Sequence, residues 1–375
     1  MSDKQELQKA AKLILEDGTE FSGWAFGKSK SAAGEIIFNT GMSGIVQAIT
    51  DPACKGQIYL STWTLPGNCG VPVNKNGKPF LDEKNIPLEL ESEKIQVSGL
   101  VISDLCEQPS HYSSNLSLSS WLEKQKIPGI FGIDTRAVAL RIKDRGTMRA
   151  KILVDDKTSG DVSFNKINTS NHNGVSLNEI AAYSPGAEKK GIKIALIDCG
   201  VKANVIRCLL KRGAEVIRIP CNIDFSNIDY DALLISSGPG DPKNYKKLID
   251  TVRASLSSTK PIFGIGLGNL IIALAAGADI YKLPFGHRSQ NQPCIDSDTG
   301  RCYVTSQNHG WTVRPQTLSE DWEIWFTNAN DNTIEGIRHK SKPFCAVQFY
   351  PEGCPGSRDL ESLFDLFIDQ IKEKK

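Results

Sequence analysis

The sequence has few of the features that mark a metal site, a membrane span or a disulfide scaffold. Among its 375 residues are five histidines and ten cysteines, with no CxxC pair and no recognisable metal-ligand spacing. We therefore expect no zinc site, no disulfide framework and no metal or other cofactor, and most of the thiols should be core fillers. No apolar run approaches the roughly 18 residues that a membrane-spanning helix needs.

The sequence also lacks an excess of charge of either sign. Lys and Arg number 44 and Asp and Glu number 43, which gives a net charge of +1. Nucleic acid or an anionic membrane as the main partner would favour a clustered basic excess, so we expect neither. Residues 1–12 contain acidic side chains, no Arg and no apolar signal core, unlike a secretory signal or a mitochondrial presequence. The sequence therefore predicts a cytoplasmic protein.

The first 154 residues predict a β-rich domain within a chain long enough for two or three domains. Strands are predicted at residues 13–15, 21–26, 35–38, 95–102 and 129–133. Asp17-Gly18 between the first two of these is a hairpin signal. Asp134 is expected to cap a helix that ends at Gly146.

The composition changes twice after this domain. Residues 155–190 are rich in Ser, Thr, Asn, Gly and Lys and read as an interdomain connection, with a short helix expected near 177–182. From residue 191 to the end, strands alternate with helices, which predicts a parallel, doubly wound sheet. Strands are predicted there at residues 192–198, 215–220, 232–236 and 262–265. Such sheets bind ligands at the carboxyl ends of their strands.

A glycine-rich turn, Gly264-Ile265-Gly266-Leu267-Gly268, joins the last of these strands to an apolar helix. One interpretation is a phosphate-binding turn at a helix N-terminus. However, the spacing is GxGxG rather than GxGxxG, and Asp279 is too close to serve as the residue that holds a ribose. A tight strand-to-helix turn with close packing is the better interpretation.

Several short motifs occur in the order expected of one known family. In the second domain they are SGPGDP at 237–242, PIFGIGLGN at 261–269, QNHG at 307–310 and AVQFYPE at 346–352. In the first domain they are LEDG at 15–18, GEIIFNT at 34–40, TDP at 50–52 and GIDTR at 132–136. The sequence resembles the small subunit of carbamoyl-phosphate synthetase, and most of all the amino-terminal region of the animal ammonia-dependent enzyme.

The resemblance implies a two-part α/β fold. Residues 1–154 would form the β-rich small-subunit-type domain, and residues 191–375 would form a flavodoxin-like class I glutamine amidotransferase domain with a parallel sheet.

The resemblance also implies a catalytic triad, of which this chain retains one member. In active relatives a Cys on a strand-to-helix elbow attacks the glutamine amide, a His takes its proton, and a Glu orients the His. These three positions fall on Gly266, Tyr350 and Glu352. Glycine has no nucleophile, and a phenol with a pKa near ~10 is a poor base at neutral pH. We therefore expect no glutaminase activity.

The glutamine pocket that the resemblance implies is altered as well. The family's pocket Ser falls on Ala53, the Gln after the elbow falls on Leu270, and the His before that Gln falls on Asn269. Each hydrogen bond lost to a buried amide would cost roughly 1–3 kcal/mol. The predicted ligand-binding residues are Ala53, Gly238, Gly240, Leu267, Leu270, Asn308, Gly310 and Trp311. His309, within the same segment as the last three, is expected to be structural.

Three functions are open at this point. The first is a glutaminase-dead homologue that acts as a scaffold or binding subunit of the synthetase large subunit, with ammonia taken from solution. The second is a free-standing protein that binds another small molecule in the relined pocket. The third, which the sequence favours least, is an active amidotransferase whose nucleophile has moved to Cys199 or Cys354. Neither thiol lies at the elbow, where a helix N-terminus would lower its pKa.

Overall fold

The computed structural model describes residues 9–154, 163–164, 174–186 and 191–374. By its contacts the chain divides into two compact units, with the division between residues 171 and 172. The finer limits, with a connection over 155–190, stay a prediction. In the described part of the chain, no helix is long and apolar enough to cross a membrane.

A closed barrel forms the first unit. Its strands are β1 Ala10–Leu15, β2 Glu20–Gly27, β3 Ala32–Asn39, β4 Ile58–Ser61, β5 Gly99–Val101, β6 Pro128–Phe131 and β7 Met148–Val154. Its helices are α1 Ile45–Thr50, α2 Leu118–Lys124 and α3 Thr135–Arg145. The strands pair in the order β1-β2-β6-β5-β4-β3-β7 and close back on β1. The β-rich prediction for this part of the chain is confirmed.

Two local sequence signals in the first unit, a hairpin turn and a helix cap, form the predicted structures. The hairpin around Asp17-Gly18 joins β1 to β2, which pair antiparallel. The Asp134 carboxylate accepts a hydrogen bond from the Ala137 backbone N–H at 2.9 Å and caps α3, which ends before Gly146. The predicted strand over 95–102 is shorter than expected, since only β5 pairs.

A ten-stranded sheet with flanking helices forms the second unit. Its strands are β8 Ala181–Tyr183, β9 Ile192–Asp198, β10 Ala214–Pro220, β11 Ala232–Ile235, β12 Ile262–Ile265, β13 Ile280–Asp296, β14 Cys302–Val313, β15 Trp322–Asn328, β16 Ile334–His339 and β17 Phe344–Val347. Its helices are α4 Ala203–Lys211, α5 Lys246–Ser255, α6 Leu267–Ala275 and α7 Ser362–Lys372. The strand order is β14-β13-β15-β16-β17-β12-β11-β9-β10-β8.

The middle of this sheet is parallel, as predicted. Strands β17, β12, β11, β9 and β10 run parallel to one another, and β11 and β12 are buried along their whole length. Helices on the faces of a parallel sheet bury both sides of its strands, which explains their continuous apolar sequences. The segments that follow β9, β11, β12 and β17 therefore meet at one edge of the sheet.

One element prediction is wrong. The short helix expected near 177–182 is absent, and Ala181–Tyr183 instead forms β8, which pairs antiparallel with β10. Pairing with an already formed neighbouring strand supplies backbone hydrogen bonds that a three-residue segment cannot obtain alone. Tertiary pairing thus decides the conformation of this segment.

Candidate functional site

The elbow between β12 and α6 consists of a single residue, Gly266. Its backbone has φ 59° and ψ −111°, and its N–H donates to the Val347 carbonyl at 2.8 Å. Residues other than glycine adopt this conformation only under strain. A Cβ atom placed at this position would lie 3.2 Å from the Ser237 Cβ and 3.3 Å from the Tyr350 Cε1. Gly266, the position that the resemblance predicts for the nucleophile, therefore has a backbone conformation that favours glycine and no side chain to react.

Close packing explains a second glycine of this turn. A Cβ at Gly268 would lie 2.1 Å from the Ile235 carbonyl oxygen, so no larger residue fits between α6 and β11. This contact supports the interpretation of the glycine-rich sequence as a tightly packed turn.

Tyr350, predicted to stand at the family's His position, is buried with 4% of its surface exposed and lies beside the elbow. Its N–H donates to the Ser306 carbonyl at 2.9 Å, which fixes the segment after β17 beside β14. The Lys202 Nζ lies 4.2 Å from the centroid of its ring, in a cation–π contact. The ring therefore occupies the space beside Gly266. The backbone hydrogen bond to Ser306 and the contact with Lys202 hold it there.

Glu352, predicted to be the one retained triad member, forms a fully buried ion pair. Its Oε1 lies 3.0 Å from the Lys202 Nζ, and neither side chain is exposed. The Lys202 Nζ also donates to the Gly353 carbonyl at 2.7 Å, and the Asn204 side-chain amide donates to the Glu352 carbonyl at 2.6 Å. The carboxylate that would orient a base thus pairs with a lysine. We call Gly266, Tyr350, Lys202 and Glu352 the elbow stack.

Sequence reasoning missed Lys202. It directly precedes α4, the helix that follows β9, in a segment that otherwise reads as apolar. A lysine between a buried strand and a buried helix could have indicated an ion pair, because a buried charge needs a partner of opposite charge.

The predicted pocket residues of the second unit lie in two places. A Cβ at Gly238 would be 2.4 Å from the Cys199 carbonyl oxygen and 2.9 Å from the Leu267 Cδ2, so the loop after β11, which also contains Gly240, packs on the elbow helix. Leu267 and Leu270 are 5% and 3% exposed and belong to the apolar core. The leucine at position 270 therefore fills the core, and its role in ligand binding stays a prediction.

The other predicted pocket residues lie on β14. Side chains alternate along a strand, so Asn308 and Gly310 share one face of β14 and Trp311 lies on the opposite face. Trp311 is partly buried and packs against the apolar core. A Cβ at Gly310 would lie 3.1 Å from the Arg288 Nη2. Trp311 therefore does not line the same surface as Asn308 and Gly310.

Ala53 belongs to the first unit. It lies in a short 3-10 turn, Pro52–Cys54, where its N–H donates to the Asp51 carboxylate at 2.9 Å. Its membership of a glutamine pocket stays a prediction.

The two cysteines considered as moved nucleophiles have different surroundings. Cys199 is buried, and its hydrogen bond to Cys221 together with burial raises the pKa of its thiol, which makes it a poorer nucleophile. Cys354 is partly exposed, with the Arg358 Nη2 4.0 Å from its Sγ. Neither residue belongs to the elbow.

A buried polar cluster lies between β13, β14 and β16. The His287 Nδ1 lies 2.9 Å from a Glu335 oxygen, and its Nε2 lies 2.9 Å from an Asp331 oxygen. The His309 Nε2 lies 3.4 Å from the other Glu335 oxygen, and its Nδ1 lies 3.0 Å from the Trp311 carbonyl. The three side chains His287, His309 and Glu335 bring ligand-type atoms within 4.8 Å of one another, which their separation in sequence did not indicate. These contacts hold His309 within the sheet, and its structural role stays a prediction.

The charges of this cluster stabilise one another. Burial lowers the pKa of His287, but its hydrogen bond to Glu335 and the charges of Glu335 and Asp331 outweigh burial and raise it overall. Burial raises the pKa of Glu335, but the two histidines outweigh it and hold that pKa at about 2.

The first unit contains a separate pocket that the sequence did not indicate. It has a volume of about 300 Å³ and is lined by the loop 41–44, the start of α1 and the loop 66–72. Met42, Tyr59 and Trp63 are among the side chains that line it.

Sequence comparisons connect both units with one enzyme family. Residues 13–152 match the family described as carbamoyl-phosphate synthase small chain, CPSase domain, and residues 195–370 match glutamine amidotransferase class-I. The chain belongs to the carbamoyl-phosphate synthase small-chain family. The resemblance seen in the sequence is therefore confirmed.

Relatives of this small-chain homologue are much longer proteins. It is 44% identical over 369 residues to the human protein named carbamoyl-phosphate synthase [ammonia], mitochondrial, covering 98% of this chain and 24% of that protein. It is 41% identical over 380 residues to the multifunctional protein pyr1-3 of Dictyostelium discoideum, covering 97% of this chain and 17% of that protein. The chain thus spans about a quarter or less of the length of these relatives.

Among solved structures, a glutamine amidotransferase from Thermotoga maritima matches the small-chain homologue over 49% of this chain and 85% of its own. The TM-score is 0.38 and the sequence identity is 15%.

Proposed function

We propose that this chain is a glutaminase-dead small-chain homologue that supports an ammonia-dependent carbamoyl-phosphate synthetase as a binding or scaffolding part. The elbow stack carries this proposal. The nucleophile position has no side chain, and the neighbouring base position holds a phenol ring 3.3 Å from where a Cβ would be. The remaining carboxylate pairs with a buried lysine at 3.0 Å. No group of the stack can attack an amide and pass on its proton.

The relatives support the ammonia part of the proposal. The human relative is named for ammonia as its substrate, and it aligns with almost all of this chain. Both small-chain domains are retained in this chain with their sheets intact. Retention of the fold without the triad favours a role in binding the synthetase over a role in chemistry.

The elbow stack and Leu270 weaken the alternative of a repurposed pocket for another small molecule. That alternative depends on space left by the missing thiol, but Ser237 and Tyr350 contact this space at 3.2 and 3.3 Å. It also depends on Leu270 as an apolar wall, whereas Leu270 is a core residue. Cytoplasmic localisation remains a prediction.

The test compares nitrogen donors. The chain is assayed together with the carbamoyl-phosphate synthase large chain, as separate subunits or as one polypeptide, with ATP, bicarbonate and either ammonia or glutamine. We expect carbamoyl phosphate from ammonia alone, and a lower rate when this chain is omitted. Synthesis from glutamine at a rate comparable to ammonia would overturn the glutaminase-dead assignment.

A second arm separates the scaffold from the ligand-binding alternative. If the chain neither binds the large chain nor changes its rate, the scaffold role is wrong. A metabolite that raises the melting temperature of this same preparation would then favour the alternative.

A further inference from the structure

Two cysteines lie side by side at the edge of the sheet where the elbow is found. Strands β9 and β10 are parallel neighbours in which Asp198 pairs with Pro220, so Cys199 and Cys221 are the next residues along each strand. The Cys221 N–H donates to the Asp198 carbonyl at 3.3 Å, which keeps the two chain segments together beyond the last strand residues. Neighbouring strands are about 4.8 Å apart, within the range of about 4.4–6.8 Å between the Cα atoms of a disulfide.

The two thiols also contact each other and differ in exposure. Cys199 is buried and donates a hydrogen bond to the sulfur of Cys221, which is partly exposed. This hydrogen bond lowers the pKa of the Cys221 thiol, while burial and the same bond raise that of Cys199. The pair therefore consists of one reactive, accessible thiol and one shielded thiol in contact with it, as in redox cysteine pairs.

Cys199 is connected to the segment that borders the elbow. Its N–H donates to the Ser236 Oγ at 3.0 Å, and its carbonyl packs against Gly238. The Ser237 side chain between them is the one that faces Gly266. A covalent link at Cys199 would hold this segment to β10.

We propose that Cys199 and Cys221 are a redox-active pair that forms a reversible intramolecular disulfide with hydrogen peroxide as oxidant. The Cys221 thiolate attacks one peroxide oxygen, the O–O bond breaks, and protonation of the leaving oxygen gives water and a sulfenic acid on Cys221. The Cys199 sulfur then attacks the Cys221 sulfur, and its proton leaves with the hydroxyl group as a second water. Reduction by a dithiol returns both thiols. This inference is independent of the proposed function.

The test uses the purified chain treated with hydrogen peroxide, alkylated and digested with trypsin. We expect peptides 194–202 and 219–243 to be joined with the loss of two hydrogens, and the link to disappear after dithiothreitol. Cys221→Ser should abolish the link and leave Cys199 reduced. Cys199→Ser should leave a sulfenic acid on Cys221 that dimedone captures.

Cys208→Ser is the matched control, because burial raises the pKa of that neighbouring thiol on α4 to about 12. This variant should form the link as the unaltered chain does. The proposal is wrong if the exposed Cys302 becomes oxidised in the unaltered chain while the two peptides remain separate. Since that comparison needs no variant, it holds even where a substitution prevents folding.

Discussion

At the residue scale, the two positions predicted to have lost triad residues, Gly266 and Tyr350, are neighbours. The Tyr350 ring lies where it would crowd a Cβ at Gly266, and the Lys202 amine lies on that ring at 4.2 Å. Each change therefore alters the surroundings of the other. A cysteine introduced at position 266 would face the phenol ring of Tyr350 instead of the imidazole of a histidine.

We expect Gly266→Cys to restore no glutaminase activity and to lower the free energy of unfolding by about 1–3 kcal/mol. The cost follows from φ 59°, which a side chain makes unfavourable, and from the two contacts near 3.2 Å. Urea unfolding and a coupled assay for released ammonia measure the two effects. Gly266→Ala is the control, since it adds the same Cβ without a thiol. Ammonia release by the Cys variant alone would show that Tyr350 does not prevent catalysis.

The buried ion pair of the elbow stack allows a second prediction. Lys202→Met removes the cation from a fully buried carboxylate and should destabilise the protein by about 3–5 kcal/mol. Adding Glu352→Gln should recover part of this loss. Lys211→Met is the control, because Lys211 is 74% exposed and lies 3.8 Å from Glu361, so at most about 1 kcal/mol is expected. Equal losses from Lys202→Met and Lys211→Met in urea unfolding would refute the stabilising role of the buried pair.

At the scale of elements, the buried polar cluster around His287, His309 and Glu335 (the histidine cluster) joins three strands of the sheet. His287 on β13 lies between Glu335 on β16 and Asp331 in the loop before it, with His309 of β14 against the same glutamate. Because the cluster pairs buried charges across strands, its protonation should affect the stability of this part of the sheet.

We expect stability to fall as the pH rises above neutrality. The pKa of His287 is raised by the fold, so its contribution is complete below the unfolded value of about 6.5 and is lost as the pH passes the folded pKa. On the acid side, Glu335 contributes above its ordinary value and loses its contribution as the pH falls toward about 2. Urea midpoints measured from pH 6 to pH 9 should decline, and His287→Gln should flatten the decline. An identical slope in both proteins would contradict the assignment to His287.

At the scale of the whole molecule, the resemblance in sequence makes a prediction about glutamine. It predicts that Ala53 and Leu270 stand where the family presents two polar partners to glutamine. We therefore expect glutamine, up to its solubility, to leave the melting temperature unchanged, since a ligand stabilises only the state that it binds. Scanning calorimetry measures this, with a homologue that retains the Cys–His–Glu triad as the positive control. A rise in melting temperature that saturates with glutamine would show that the pocket still binds it.

Features with local causes could be predicted from the sequence. The hairpin at Asp17-Gly18, the Asp134 cap and the apolar strands of the parallel sheet depend on residues close together in the chain. Gly266 and Tyr350 could be proposed as changed positions because the surrounding motifs fix their register, and that assignment stays a prediction. Closure of the barrel was not predicted, because β3 and β7 pair across more than a hundred residues.

The missed site features share one physical reason. The partner of Lys202 is 150 residues away in sequence, and the contacts of the histidine cluster join separate strands. The local sequence around Lys202 or His287 does not indicate which distant carboxylate either side chain contacts. Burial of the charge is what makes such pairing necessary.

The closeness of Tyr350 to Gly266 also bears on whether substitutions could give this chain a Cys–His–Glu triad. A Cys at position 266 costs stability while Tyr350 is present, and a His at position 350 gains nothing while position 266 has no thiol. Glu352 would in addition have to leave its buried partner Lys202 in order to orient a histidine. Under the proposed function, each single substitution toward the triad is therefore neutral or harmful, and glutaminase activity requires several changes at once.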